Sequence, residues 1–343
     1  MPANLSPEYK QAEEAYRAAR EPQERLSCLK EMLRAIPKHK GTEHLQADIK
    51  SRIKQLTDDL TSAKKAGART GPTYIIRAEG AAQVALIGPP NAGKSTLHQN
   101  LTGSKTDIGP YPFTTHVPVP GMFIHEDVHF QLVDLPPVSA DYMEPWFINA
   151  LQPADAAMLV VDLADPACVE QVQTIIERLS EKKVQLTERW PGFSTSRSEP
   201  SATDDDDPFR IVLLTMLVAN KADLDPDPGE VDVLEELLGV RYPAVSVTAT
   251  TGDGLDTIGP LLFEGLEVLR VYTKTPGKQA EDDRPFTVRK GATVHDVARL
   301  VHKEVADSLQ FARLWGKSGQ FAGQQVGPEH EVADRDVVEL HMR

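Results

Sequence analysis

The chain has 343 residues, 40% of them hydrophobic, and a formal net charge of −14. That length allows two or three domains, and the acidic balance excludes a protein that coats nucleic acid over its whole surface. No apolar stretch is long enough to span a bilayer, the polar start Met1 to Lys10 lacks a signal-peptide core, and Cys28 and Cys168 form neither metal-ligand nor CxxC spacing. The expected setting is a reducing cytoplasm without membrane contact.

Residues 1–70 read as a charged helical segment. Leu45, Ile49, Ile53, Leu56 and Leu60 recur on one helical face, with Lys50, Arg52 and Lys54 beside it. This part carries a local basic excess in Arg34, Lys38, Lys40, Lys50, Arg52, Lys54, Lys64, Lys65 and Arg69. Gly67 to Pro72 reads as a linker.

A nucleotide-binding α/β section is expected over 74–270. The apolar run Val84 to Ile87 leads into Gly88, Pro89, Pro90, Asn91, Ala92, Gly93, Lys94, Ser95 and Thr96, a G-x-x-x-x-G-K-S loop that opens a helical stretch. Its glycines let successive N–H groups curl around phosphates, and the helix N-terminus adds a favourable field. Lys94 is expected to reach the β- and γ-phosphates and Ser95 to ligate Mg²⁺. Tyr111-Pro112-Phe113-Thr114-Thr115 offers a hydroxyl for the metal in the triphosphate state, Thr115 rather than Thr114, unless both are strand-entry threonines. Asp134 ends the strand Phe130 to Val133, where it can hold the metal's water shell.

Residues 190–208, from Trp190 to Pro208, are Ser-, Pro- and Asp-rich and are expected to be a disordered insert. The acidic run Asp204 to Asp207 suits a solvated loop better than a nucleic-acid mimic. The apolar run Val212 to Ala219 then delivers Asn220-Lys221-Ala222-Asp223 to a strand's C-terminal end, the edge where open α/β sheets bind ligands. Asp223 can accept hydrogen bonds from guanine N1 and N2, which adenine cannot supply. Lys221 would lie along the base, Asn220 would tie this loop to the phosphate loop, and Thr248 and Ala249, after the strand Ala244 to Val247, would back the guanine.

From residue 271 to 343 the pattern is strand, turn, helix and closing strand. Phe286 to Arg289 reads as a strand and Thr293 to Asp296 as a capping box; Val294, Val297, Ala298, Val301 and Val305 take core spacing, and Asp336 to His341 closes the module. No catalytic constellation stands out there, and His295, His302, His330 and His341 lack metal spacing.

With KHKGTEHLQADIKSRIKQL, GPPNAGKST, YPFTT, DLPP, NKAD, RVYTK, ARLWG and VGPEHEVADRDVVEL in view, the chain resembles Obg-class GTPases, and among them the developmentally regulated GTP-binding (DRG-type) proteins. The likeness runs from about Pro37 to the C-terminus. It implies a P-loop GTPase G domain, an N-terminal helical segment, a C-terminal β-grasp TGS-like domain, and GTP hydrolysis linked to ribosomes or translation. Residues 34–69 and 271–343 are the implied contacts with ribosome or RNA; the alternative is that the stripe from Leu45 to Leu56 packs on the G domain while the basic face stays in water. In GTPases that the phosphate loop resembles, an Asn at the place of Asn91 helps hold K⁺; a residue suited to an awkward loop conformation is the other reading.

The departures matter as well. DRG-type proteins carry an inserted domain and a basic glycine-rich segment that this chain lacks. Their switch II motif has Gly where Pro137 stands, and its N–H meets the γ-phosphate; proline has no N–H. Val138 cannot orient water. Either another donor substitutes or the switch is altered, so slow hydrolysis is expected and a turnover-deficient guanine-nucleotide scaffold is the alternative. A P-loop kinase is disfavoured, because Asn220 to Asp223 select guanine and no acceptor site is evident.

Overall fold

The structure is a computed structural model that describes residues 6–19, 22–37, 40–65, 76–104, 117–193, 207, 209–224, 230–275 and 285–342. Three helices open the chain: α1 (Pro7–Ala18), α2 (Pro22–Ala35) and α3 (Glu43–Lys65). Ser6 starts α1 by accepting the Tyr9 N–H on its hydroxyl at 3.2 Å, and Pro7 supplies the helical φ without a wasted donor. Leu45, Ile49, Ile53 and Leu56 pack with Tyr9, Leu29, Met32, Ile36 and Phe209, so the stripe serves the helical unit's own core. Arg52 lies over the Phe209 ring, 4.1 Å from its centroid, which removes one cation from the basic face. Lys50 and Lys54 stay exposed. Lys38, Arg69 and the linker lie outside the described residues.

By packing, the chain divides into Met1–Ala78 with Glu199–Arg210, and Glu79–Ser198 with Ile211–Arg343. The second unit begins with β1 (Ala82–Ile87), α4 (Lys94–Thr102), β2 (Val119–His125), β3 (Val128–Asp134), α5 (Phe147–Leu151), β4 (Ala156–Asp162), α6 (Cys168–Glu181) and β5 (Val184–Thr187). It continues with β6 (Ile211–Asn220), α7 (Glu230–Leu238), β7 (Ala244–Ser246) and α8 (Ile258–Gly265). The sheet order is β2-β3-β1-β4-β6-β5, with β7 also on β6, and only β2 runs antiparallel to its neighbour. β1 is buried at every position, which is why it reads as an unbroken apolar run rather than an alternating one.

The expected disordered insert starts too early. Trp190 is 1% exposed, donates its indole N–H to the Thr215 carbonyl at 2.9 Å, and belongs to the main core; residues 191–193 form a 3₁₀ turn beside it. A large ring with one satisfied donor outweighs the polar composition that follows. Residues 194–206 and 208 lie outside the described residues.

The C-terminal module adds β8 (Val268–Thr273), β9 (Phe286–Arg289), α9 (Val294–Val301), α10 (Lys303–Ser308), β10 (Leu309–Trp315), β11 (Gln324–Val326) and β12 (Asp336–Met342), in the order β11-β10-β12-β8-β9. Thr293 and Asp296 form the expected capping box. The helix does not continue through Val305. His302, at φ −169° and ψ 144°, leaves it and caps α10 by accepting the Glu304 N–H on Nδ1 at 3.2 Å. Val301, expected in the core, is therefore 39% exposed. β8 begins before residue 271, so the expected boundary falls inside a strand.

Arg270 fastens this module to the first sheet. Its guanidinium is bonded to Asp334 (Nη2 to Oδ2, 2.8 Å), to Asp127 (3.1 Å) and to Glu126 in the β2–β3 turn, and it lies over Phe263. The Tyr272 hydroxyl donates to Asp127 as well. Burial pushes the Asp127 and Asp334 carboxyls up, but hydrogen bonds from Tyr272 and Arg270 to the first, and from Arg270 to the second, hold both below the usual range. The hub keeps an excess of acid, one guanidinium against three carboxylates, which Arg335 beside Glu126 at 3.6 Å offsets in part.

The core role of Trp190 has a measurable consequence. Trp190→Ala is expected to cost about 3–5 kcal/mol, read as a lower denaturant midpoint, and Trp190→Phe less. An unchanged midpoint for the alanine variant would contradict the placement.

Candidate nucleotide site

The C-terminal ends of β1, β3, β4 and β6 come together through the register Leu86↔Asp134 and Asp162↔Asn220. The phosphate-loop sequence leaves β1 there and enters α4 at Lys94. Gly93 has φ 89°, and a Cβ on it would lie 2.1 Å from Asn220 Nδ2; glycine is required on both counts. Asn91 has φ 61° and an exposed side chain, a left-handed backbone that by itself accounts for Asn. Gly88, Pro89 and Ala92 are buried, while Pro90, Ser95 and Thr96 are half-buried.

Lys94 is 6% exposed and donates to the carbonyls of Gly88 (3.0 Å) and Pro89 (2.8 Å). Burial pushes its ammonium down to about 8, with Asp134 pulling the other way. The Ser95 hydroxyl donates to Asp134 Oδ2 at 2.6 Å. A hydroxyl and a carboxylate side by side form a hard-oxygen pair of the kind Mg²⁺ takes, so the donor set fits that ion. Leu135, Pro136, Pro137 and Val138 are all buried, and the Val138 N–H donates to the Gly88 carbonyl at 3.2 Å. Thr114 and Thr115 lie outside the described residues.

Asn220 joins the two sequence motifs. Its Nδ2 donates to the Ala92 carbonyl at 2.8 Å, and its Oδ1 accepts the Ala249 N–H at 3.0 Å. Thr248 is 4% exposed and Ala249 2%, and the Asn100 amide donates to the Ala249 carbonyl. Lys221, at φ 62°, extends its ammonium to Asp162 Oδ2 at 2.5 Å. Asp223 is exposed at the rim, one residue after the Ala222 N–H that donates to the Val247 carbonyl. Asp162 was not singled out from the sequence, although an Asp closing the apolar run Ala156 to Val161 is the same signal that marked Asp134.

No helix among the described residues is long and apolar enough to cross a membrane. No group of three or more His, Cys, Asp or Glu able to hold a metal occurs among them. His330 approaches the Ser318 hydroxyl at 3.1 Å, and His341 approaches Glu339 at 2.8 Å.

Residues 83–193 match the family described as 50S ribosome-binding GTPase, and residues 269–342 match the TGS domain. This is a P-loop GTPase domain with N-terminal helices and a C-terminal TGS domain. Its homologues are DRG-type GTP-binding proteins. An uncharacterized GTP-binding protein of Methanocaldococcus jannaschii is 26% identical over 363 residues, covering 93% of this chain and 92% of that one. Developmentally-regulated G-protein 2 of Arabidopsis thaliana is 25% identical over 362 residues, covering 92% and 90%. Among solved structures, a GTP binding protein from Pyrococcus horikoshii OT3 aligns with a TM-score of 0.48 at 16% identity, over 76% of this chain and 100% of that one.

The buried Lys94 predicts a pH effect. Phosphate oxygens favour its charged form, so binding above pH 8 takes up a proton, whereas below it the charge is already present. Affinity for GDP should fall as pH rises through that value, by up to about tenfold per unit. Titrations between about pH 7 and 9 check this, with Lys94→Met removing the protein's share of the slope. Equal slopes in the two proteins would exclude Lys94 as the source.

Proposed function

We propose that the chain binds Mg²⁺·GTP and hydrolyses it slowly, as a cytoplasmic regulatory GTPase associated with ribosomes or translation. The observation that carries the nucleotide reading is the bridge from Asn220 to Ala92 and Ala249, which makes the phosphate loop and the base-reading loop one site. Asp223 accepts from guanine N1 and N2, Lys221 lies along the base with its ammonium steadied by Asp162, and Thr248 and Ala249 back the ring. Lys94 and the backbone N–H groups from Asn91 to Thr96 stabilise the charge on the transferring phosphoryl group. Mg²⁺, held by Ser95 and Thr115 and through water by Asp134, supplies further positive charge there when bound. A potassium ion near Asn91 would add to it, although the backbone at Asn91 already explains the residue.

The base assignment is tested by competition. GTP and GDP should displace a labelled guanine nucleotide and ATP should not. Asp223→Asn should weaken GTP more than about tenfold and improve xanthosine triphosphate, because each charge-assisted bond contributes roughly 1.5–3 kcal/mol. Equal displacement by ATP and GTP would overturn the reading.

A second reading, a guanine-nucleotide scaffold without turnover, is favoured by one feature. Pro137 has no N–H, and the next donor, Val138, is already bonded to Gly88. Hydrolysis on the order of 10⁻⁴ s⁻¹ is expected for the enzyme, measured as multiple-turnover phosphate release in K⁺ and in Na⁺ at equal ionic strength. Absence of turnover in both favours the scaffold, and equal rates remove the potassium role. Pro137→Gly should raise the preference for a GTP analogue over GDP; an unchanged preference means the missing amide was not limiting.

The ribosomal part is supported by the description of the matched family and by the exposed Lys50 and Lys54 on α3, which suit RNA phosphates. Sedimentation of lysate with GTP analogue or GDP, at low and high salt, tests it. Absence from the ribosomal fraction in every condition would remove it.

A further inference from the structure

Helix α7 carries more apolar side chains than its packing uses. Val231, Leu234 and Leu238, spaced i, i+3 and i+7, form its inward stripe; Leu234 is buried and the other two are half-buried. Val233 and Leu237 lie outside that stripe. Four residues apart, they sit one turn above the other on a second face and are 55% and 58% exposed. Helix formation does not account for Val233, because a β-branched side chain loses rotamer freedom in a helix. Packing within the chain does not account for Leu237, which leaves more than half of its surface in water.

Charge decides what can cover this face. Asp232 and Glu236 are exposed, repeat the same four-residue spacing, and take no part in an ion pair among the described residues. Glu235, by contrast, is buried and has Arg241 at 3.6 Å. From Ala222 to Val240 the sequence holds seven acidic residues and neither Lys nor Arg. RNA phosphates and anionic lipids are therefore repelled. A second copy docked about a twofold axis would bring carboxylates against carboxylates.

We propose that this face of α7 docks a basic amphipathic helix of another protein. The partner's apolar residues cover Val233 and Leu237, and its lysines or arginines meet Asp232 and Glu236. The apolar contact supplies most of the affinity, since exposed ion pairs contribute little. The carboxylates speed the encounter and turn acidic partners away. The inference goes beyond the nucleotide reading. Helix α7 follows the loop from Asn220 to Asp223, but none of these four side chains belongs to the nucleotide site.

The test uses the full chain and a fluorescently labelled helical peptide of leucine and lysine, about fifteen residues long. Two control peptides have the same length. One keeps the lysines and replaces leucine by serine, and the other replaces lysine by glutamate. Fluorescence anisotropy should show saturable binding of the leucine–lysine peptide and much weaker binding of both controls. Val233→Ser with Leu237→Ser should weaken binding about tenfold or more. Asp232→Asn with Glu236→Gln should weaken it less and flatten its salt dependence. Glu177→Gln with Glu181→Gln, two exposed acids of α6, should leave both nearly unchanged. Guanine-nucleotide affinity and thermal midpoint should stay the same in every variant, which shows that they fold. No binding by the native chain, equal binding of the serine control, or unchanged binding by folded Val233→Ser with Leu237→Ser would each overturn the proposal. An equal loss from the α6 acids would overturn it too, because net charge alone would then be at work. Sedimentation of the native chain tests the other occupant. A dimer that Val233→Ser with Leu237→Ser dissociates would assign the face to a second copy instead.

Discussion

The site depends on Asn220, a side chain that bonds to the backbone of two other segments. Its amide donates to the Ala92 carbonyl and accepts from the Ala249 N–H while 2% exposed. Buried polar groups with both ends satisfied fix geometry, because any movement that breaks one bond leaves a desolvated partner. Gly93 is the complement to this arrangement: the approach of Asn220 leaves no room for a Cβ there. The Gly88–Ser95 loop and the loop from Asn220 to Asp223 follow strands far apart in sequence, and one carboxamide ties them together.

The region after Asp134 follows a different rule. Its four apolar residues are buried, and the first N–H after the two prolines bonds to the phosphate loop itself. With the first donor after the prolines engaged and the Val138 side chain buried, this segment is held by its surroundings. The Ser95 hydroxyl and the Asp134 carboxylate meet at 2.6 Å beside it, on atoms that the packing of this segment does not use.

The sequence was most legible where local backbone demands and chemistry coincide. The phosphate loop, Asn220 to Asp223 and the Thr293–Asp296 cap all declare themselves through residues that few other conformations tolerate. It was least legible where partners are distant. Trp190 looked like the start of a polar insert because its partner, the Thr215 carbonyl, is recognisable only after folding. Arg270 gave no local signal either, since it acquires its meaning from opposite charges on other elements. Asp162 closed an apolar run as Asp134 does, but its partner Lys221 became visible only in the fold. Val301 failed for a local reason: the apolar period continued past His302, but that residue's extended backbone ended the helix. The helical stripe was legible as one apolar face, but its partners Tyr9, Leu29, Met32, Ile36 and Phe209 were not.

Arg270 also explains how the C-terminal sheet is held to the first. The charges that fasten the C-terminal module, Glu126, Asp127 and Asp334, gather on a single arginine at one edge of the sheet face. The turn that Arg270 grips joins β2 to β3, and β3 ends at Asp134, the carboxylate beside Ser95. A displacement of that hairpin would carry the grip with it, so the C-terminal sheet and the strand that ends at Asp134 are joined through one turn. Weakening that joint should leave nucleotide affinity intact, because none of its atoms belongs to the site.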